Sequence, residues 1–273
     1  MSYRDKLASG RVAFAHLIRV WHARNGWSHR VLPGLAEALD LGRVHNSQLS
    51  MLRNGKLASP GPEVFLALGG VNQWLAVHAP EGQLEPQQWE GELQKLAGHP
   101  ELTEALQTSA LPLRDGAGRV FGPGELLEVF VGLCLPPPAF DLRIDEAEAG
   151  ELSGILATLL TAGRSWRQCR EAVMAAYPVG KRQRRERFAE VMAGQSDYSA
   201  TELDAELPDL CRTLAALGAA GEKELAAEIL LQLLRENLQH EKARLQGQSG
   251  EERAPLDLAA AIRLDLTRPQ PAP

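Results

Sequence analysis

Aromatic side chains make up only 5% of this chain, and most windows are filled by Ala, Leu, Glu, Gln and Arg. That balance argues against sheets rich in Val, Ile and Tyr and for helices packed through Leu and Ala. Cysteine is nearly absent: Cys134, Cys169 and Cys211 lie far apart, with no CxxC spacing and no His at ligand spacing. A disulfide framework and a metal site are therefore not expected, and a reducing, cytoplasmic location is. No apolar run approaches the roughly 20 residues that cross a bilayer. The first residues, MSYRDKLASGRVAF, lack the apolar stretch of a signal peptide. Phosphate-binding glycine loops, GxSxG and HExxH are also missing, so neither an enzyme nor a cofactor is expected.

What is present is a chain of 273 residues, 44% hydrophobic and 23% charged, enough for one large or two small domains. The formal net charge of −6 would ordinarily argue against nucleic acid, but it is unevenly spread. Residues 1–57 hold nine Lys/Arg against three Asp/Glu, a net of +6, and residues 161–195 carry a net of +5. Residues 58–160 carry −11 and residues 196–273 carry −6. Two basic islands thus sit in an acidic chain, and local fields govern phosphate binding more than the total does.

Apolar periodicity predicts a first helix over Val12–Arg24, with Phe14, Leu17, Ile18 and Trp21 on one stripe and Asn25-Gly26 as its stop. A second starts near Leu32-Pro33 and carries Leu35, Ala36 and Leu39 inward, with Gly42 closing it. Asn46 or Ser47 is the expected N-cap of a third, Gln48–Asn54, held by Leu49 and Leu52 and stopped by Gly55. Short fourth and fifth helices are predicted over Glu63–Leu68 and Val71–Val77. Beyond them the pattern weakens, with helical signal around Trp89–Leu96 and Leu102–Leu106. Leu111–Phe121 reads as a small β-hairpin about an Asp-Gly turn, and Glu125–Leu133 as an apolar helix. Pro136-Pro137-Pro138 breaks the chain, and the domain boundary is placed there. Further helices are predicted over Ile144–Leu160, from Ser165 to Ala176 with a capping box, and over Lys181–Ala193, Thr201–Leu217 and Lys223–Gln246. The expected fold is mainly α. It comprises a five-helix domain (1–78), an acidic connecting region with the hairpin (79–138), a second helical domain (139–247) and a frayed tail (248–273).

Leu35–Leu57 reads as an apolar-faced helix, a turn, a polar-faced helix and a glycine stop. Leu35-Ala36, Leu39, Leu49–Leu52, Arg53-Asn54-Gly55-Lys56, Pro60 and the run Val64–Leu68 resemble the lambda-repressor-like (Cro/C1-type) helix-turn-helix family over the first quarter of the chain. Leu49 falls one residue later than in that family, so the turn Arg43–His45 is enlarged. The resemblance implies double-stranded DNA as partner, with His45, Asn46, Ser47 and Gln48 at base edges, Asn and Gln being suited to adenine. Arg43, Arg53 and Lys56 would lie nearer the phosphates, beside Asn54 at the exit of the helix. It also implies a homodimeric transcriptional regulator. The alternative is a non-enzymatic interaction protein, since helical bundles of this shape also serve in docking.

The second island repeats part of this order. Phe188, Val191 and Gly194 reproduce the spacing of Leu49, Leu52 and Gly55, which points to a degenerate second copy over 165–194. Lys181, Arg182, Arg184, Arg185 and Arg187 are its candidate second basic contact; a solvated basic face paired with acidic segments is the plainer reading. Trp21, Trp27 and Trp74 are expected in the core, and His16, His22 and His29 at the surface or as caps. Asp145, Glu146, Glu148 and Glu151 are expected to form a solvated helix start.

Overall fold

The computed structural model describes residues 2–84, 96, 98–219, 225–247, 258, 260, 262 and 263, and they are mainly helical. The helices are α1 (Tyr3–Asn25), α2 (Val31–Ala38), α3 (Asn46–Arg53), α4 (Pro62–His78), α5 (Pro100–Thr108) and α6 (Pro123–Val131). After a single 3-10 turn at Pro138–Phe140 come α7 (Glu146–Thr161), α8 (Trp166–Ala176), α9 (Arg182–Met192), α10 (Ala200–Ala216) and α11 (Ala227–Gly247). The chain divides into two compact units, Met1–Leu142 and Arg143–Pro273. The helical pattern predicted over Trp89–Leu96 lies outside the described residues except for Leu96, which is helical and buried. The expected tail also lies outside them, apart from helical residues 258, 260, 262 and 263.

In the first unit α1 begins at Tyr3 and not at Val12. The Ser2 hydroxyl accepts the Asp5 backbone N–H, and the Asp5 carboxylate accepts that of Ser2, a reciprocal cap that nucleates an extra polar stretch of helix. Phe14 of α1, Phe65 of α4 and Phe130 of α6 meet edge-on with centroids 5.4–5.8 Å apart, and this aromatic cluster centres the core. The two short helices expected over 63–77 are one continuous helix. Gly69-Gly70, read as a break, instead permits a close approach: a Cβ on Gly69 would sit 2.3 Å from the Pro123 nitrogen at the start of α6.

The expected connecting region is part of this unit. Trp21 Nε1 donates to the Leu111 carbonyl (3.0 Å) and Trp27 Nε1 to that of Ser109 (2.9 Å). Asn25, 1% exposed, donates to the Leu111 carbonyl and accepts from the Leu111 N–H and the Ser109 hydroxyl. Farther on, the Arg24 guanidinium lies 4.5 Å over the Phe140 ring, and the Leu142 N–H donates to His16 Nδ1. The break therefore falls after Leu142, because α1 holds everything up to that point; the polyproline run lies inside the unit. The hairpin shrinks to one antiparallel bridge, Arg114–Val120. Besides the cross-strand bonds Phe121 N–H to Leu113 O and Asp115 N–H to Arg119 O, buried Asn72 ties both runs to α4, donating to the Leu113 and Phe121 carbonyls and accepting the Leu113 N–H.

In the second unit α7 packs against α8, α9, α10 and α11, through Leu152, Leu156, Leu159 and Leu160. Tyr177, just after α8, stacks on Phe188 of α9 at 4.0 Å. Asp145 caps α7 by accepting the Glu148 N–H, while Glu148 and Glu151 pair with Arg235 and Lys242 of α11.

Four helix pairings recur in the two units, while α7 on α8, α7 on α10 and α8 on α9 are found in the second. In the first, α1 packs on α3, α2 on α4, and α6 on both α1 and α4; in the second, α7 packs on α9, α8 on α10, and α11 on both α7 and α10. In both, the third helix closes on a glycine with positive φ, Gly55 (62°) and Gly194 (68°). Both closures make the same paired bonds: Gly55 N–H to Leu52 O and Lys56 N–H to Met51 O, Gly194 N–H to Val191 O and Gln195 N–H to Glu190 O. The segment holding α5 stands between the fourth and fifth helices of the first copy.

Candidate nucleic-acid interface

α3 has two unlike faces. Leu49 and Leu52 are buried against the unit, whereas Asn46, Ser47, Ser50 and Asn54 point outward. The helix starts at Asn46, so the N-cap is His45 and neither Asn46 nor Ser47. The cause is Gln48, whose Oε1 accepts the His45 backbone N–H at 2.9 Å and so fixes the first turn one step earlier. Seven residues, 39–45, join α2 to α3, with Asp40 (φ 55°) and Gly42 (φ 121°) bending the enlarged turn.

An open groove of about 530 Å³ runs beside α3, lined by Arg19 of α1, His29 of the turn before α2, and Asn46, Ser47, Ser50, Arg53 and Asn54. Every lining side chain is polar, and none is acidic, which suits a hydrogen-bonding anion such as a phosphodiester. Arg53 and Lys56 make no ion pair among the described residues. Arg43 lies 3.9 Å from Glu37 with both side chains 70% exposed, a pair that holds neither in place.

Of the eight residues proposed to meet DNA, four thus line the groove: Asn46, Ser47, Arg53 and Asn54. Two have prior commitments. Gln48 is a capping residue, so a bidentate contact to adenine would cost the helix its first-turn bond. Asn54 donates its amide to the Ser50 carbonyl at 2.7 Å, leaving its oxygen as an acceptor. Arg43, His45 and Lys56 are exposed outside the groove. Arg19, His29 and Ser50 were missed. Ser50 was findable, being four residues after Asn46 and hence on the same helical face; Arg19 and His29 arrive from elements whose placement no local pattern reports.

His22 lies inside the unit, 3% exposed, contrary to the surface role expected of it. Its Nδ1–H donates to the Ile18 carbonyl, and its buried Nε2 has no partner among the described residues. Burial pulls its pKa down to about 4; the Ile18 bond opposes this, and the nearby charges of Arg53 and His29 add to it. The ring is thus a neutral packing element beneath a basic surface.

The second basic island is arranged differently. Arg184 donates to Glu206 and Asp209 of α10, both at 2.7 Å. Arg185 donates to the carbonyls of Met174, Tyr177 and Val179, tying off the end of α8. Arg187 binds Glu202 and the Ser196 hydroxyl. These three cations, counted as a second contact from sequence, are held within their own unit; Lys181 and Arg182 remain at the surface, Arg182 beside Glu186. Among the described residues no group of His, Cys, Asp and Glu is placed to hold a metal ion, and no helix is long and apolar enough to cross a membrane.

Residues 4–132 match a family model described as Domain of unknown function (DUF8644), and residues 149–245 one described as Domain of unknown function (DUF8645). Each match falls within one structural unit. No curated protein and no solved structure matches the chain.

Proposed function

We propose that the first unit binds double-stranded DNA through the outward face of α3, and that the protein acts as a transcriptional regulator. The observation that carries this reading is the division of α3 into a buried Leu49/Leu52 edge and an exposed polar face, Asn46, Ser47 and Ser50, bordering a groove with Arg19, His29 and Arg53. Asn46, Ser47 and Ser50 are the side chains that would meet base edges, and Arg53 and Lys56 the ones that would neutralise phosphates. One module of this size gives little specific affinity alone, and two set about 34 Å apart along one face of the duplex supply the rest. A homodimer is one route to that arrangement.

A gel shift with genomic fragments at about 50 and 200 mM salt tests the reading: with some four phosphate contacts, affinity should fall on the order of 100-fold between them. Arg53→Ala should weaken all sequences alike, and Asn46→Ala should relax base preference. No shift at low salt would sink the proposal and favour the second reading, protein docking, for which the exposed Leu133 (74%) and Leu135 (73%) speak.

A further inference from the structure

We infer that the second unit carries a second duplex-DNA contact, formed by the outward sides of α8 and the start of α9, so that one chain presents two DNA-binding modules. This rests on the proposed role of the first unit; of the second basic contact expected from sequence it keeps Lys181 and Arg182, and it adds Arg167 and Arg170 of α8. Three observations converge on it.

The first is the set of shared pairings. Four helix pairings recur in both units, α1 on α3 as α7 on α9, α2 on α4 as α8 on α10, and α6 on α1 and α4 as α11 on α7 and α10, and α3 and α9 end in the same glycine closure. α9 therefore stands where α3 stands, and α8 where α2 stands. In a helix-turn-helix these two positions are the ones that face the duplex.

The second is which cations remain outside. Arg184, Arg185 and Arg187 are turned into the unit, as described above. Arg167 and Arg170 of α8 are exposed while Cys169 and Val173 of the same helix are buried. Lys181 and Arg182 are exposed at the start of α9, followed by exposed Gln183. Arg167, Arg170 and Lys181 make no ion pair among the described residues.

The third is where the acids went. Glu202, Glu206 and Asp209 of α10 are engaged with Arg184 and Arg187. With Arg212, which also binds Asp209, these arginines balance the three acids within the unit, and on the exposed sides of α8 and α9 the described acids Glu171, Glu186 and Glu190 stand against Arg167, Arg170, Lys181 and Arg182. Charge complementarity thus selects a polyanion, and the helix-turn-helix arrangement selects a duplex among polyanions. Two such modules in one chain do the work that two protomers would otherwise do.

The test uses the full chain and measures footprint length and the salt dependence of binding. Arg167→Gln with Arg170→Gln should shorten the footprint by about one helical turn and make the log–log salt slope shallower by about 2. Lys181→Gln, a milder change at an exposed position, should make the slope shallower by about 1. Unchanged footprint and slope in both variants, alongside weakened binding by Arg53→Ala, would overturn the second contact, leave the first intact and assign the α8–α9 cations to protein docking. Failure of the unaltered protein to bind at low salt would instead remove the reading of the first unit, and this one with it.

Discussion

α3 and α9 are each the third helix of their unit, with four helix pairings in common between the units, yet they keep their places by different means. α3 is held by Leu49 and Leu52 packed on apolar neighbours, and its polar side chains are left outward. α9 is held by Phe188 and Val191 and, in addition, by three arginines engaged with acids and carbonyls of its own unit. The difference lies in the fourth helix. α4 presents Val64, Phe65, Ala67 and Leu68 to the core, whereas α10 carries Glu202, Glu206 and Asp209 where its partner helices need counter-charges. Charge on a candidate recognition helix is therefore available for a ligand only to the extent that no acid of a neighbouring helix lies within its reach.

The sharpest way to break this comparison is Arg184→Ala. It takes the shared cation from Glu206 and Asp209, which are 6% and 7% exposed and keep only the Tyr177 hydroxyl and Arg212. With Arg184 itself partly solvated, the change should cost the second unit about 2 kcal/mol in urea unfolding. Arg53→Ala should change stability by no more than about 0.5 kcal/mol. Equal losses would show that the two helices are held alike.

The next effect depends on pH. His22 titrates at about 4 in the folded unit and near its ordinary 6.5 when unfolded, so between these values the unfolded chain binds more protons. Its contribution is complete above pH 6.5 and declines as pH falls toward 4, a loss of about 3 kcal/mol at most. His22→Leu should flatten that part of the stability profile. A profile with the same slope in the variant would place the titrating group elsewhere.

The smallest effect sharpens the assignment within α3. Gln48→Ala should cost about 1 kcal/mol of stability through the lost cap and leave base preference unchanged. A change of preferred sequence without loss of stability would restore Gln48 as a reading residue.

Local periodicity made much of this molecule legible. The apolar spacings of α2, α3, α8 and α9, the Ser165 capping box and the Gly55 and Gly194 stops all lie within a few residues of one another, and each appears where the pattern put it. Failures came where a residue's role is decided at long range. Gly69 looks like a helix breaker until Pro123 is known to lie against it, and no local pattern marks Asn72 as the residue that holds the 111–121 segment. Arg184 looks like a phosphate ligand because its acids lie 22 and 25 residues away on another helix. Ser50, by contrast, is legible locally, lying one turn after Asn46 on the same face of α3.

The bonds from Trp21, Asn25 and Trp27 to residues 105–111 bear on how the chain can be cut for experiment. A fragment ending at residue 78 looks natural, since it holds four helices and the whole α3 groove. It would strip two indole N–H groups and a buried amide of their acceptors and lay bare the apolar sides of α1 and α4 that α6 covers. Such a piece would aggregate or melt for reasons unrelated to DNA, and a negative binding result from it would carry no weight. Dissection should respect Leu142 as the first permissible cut.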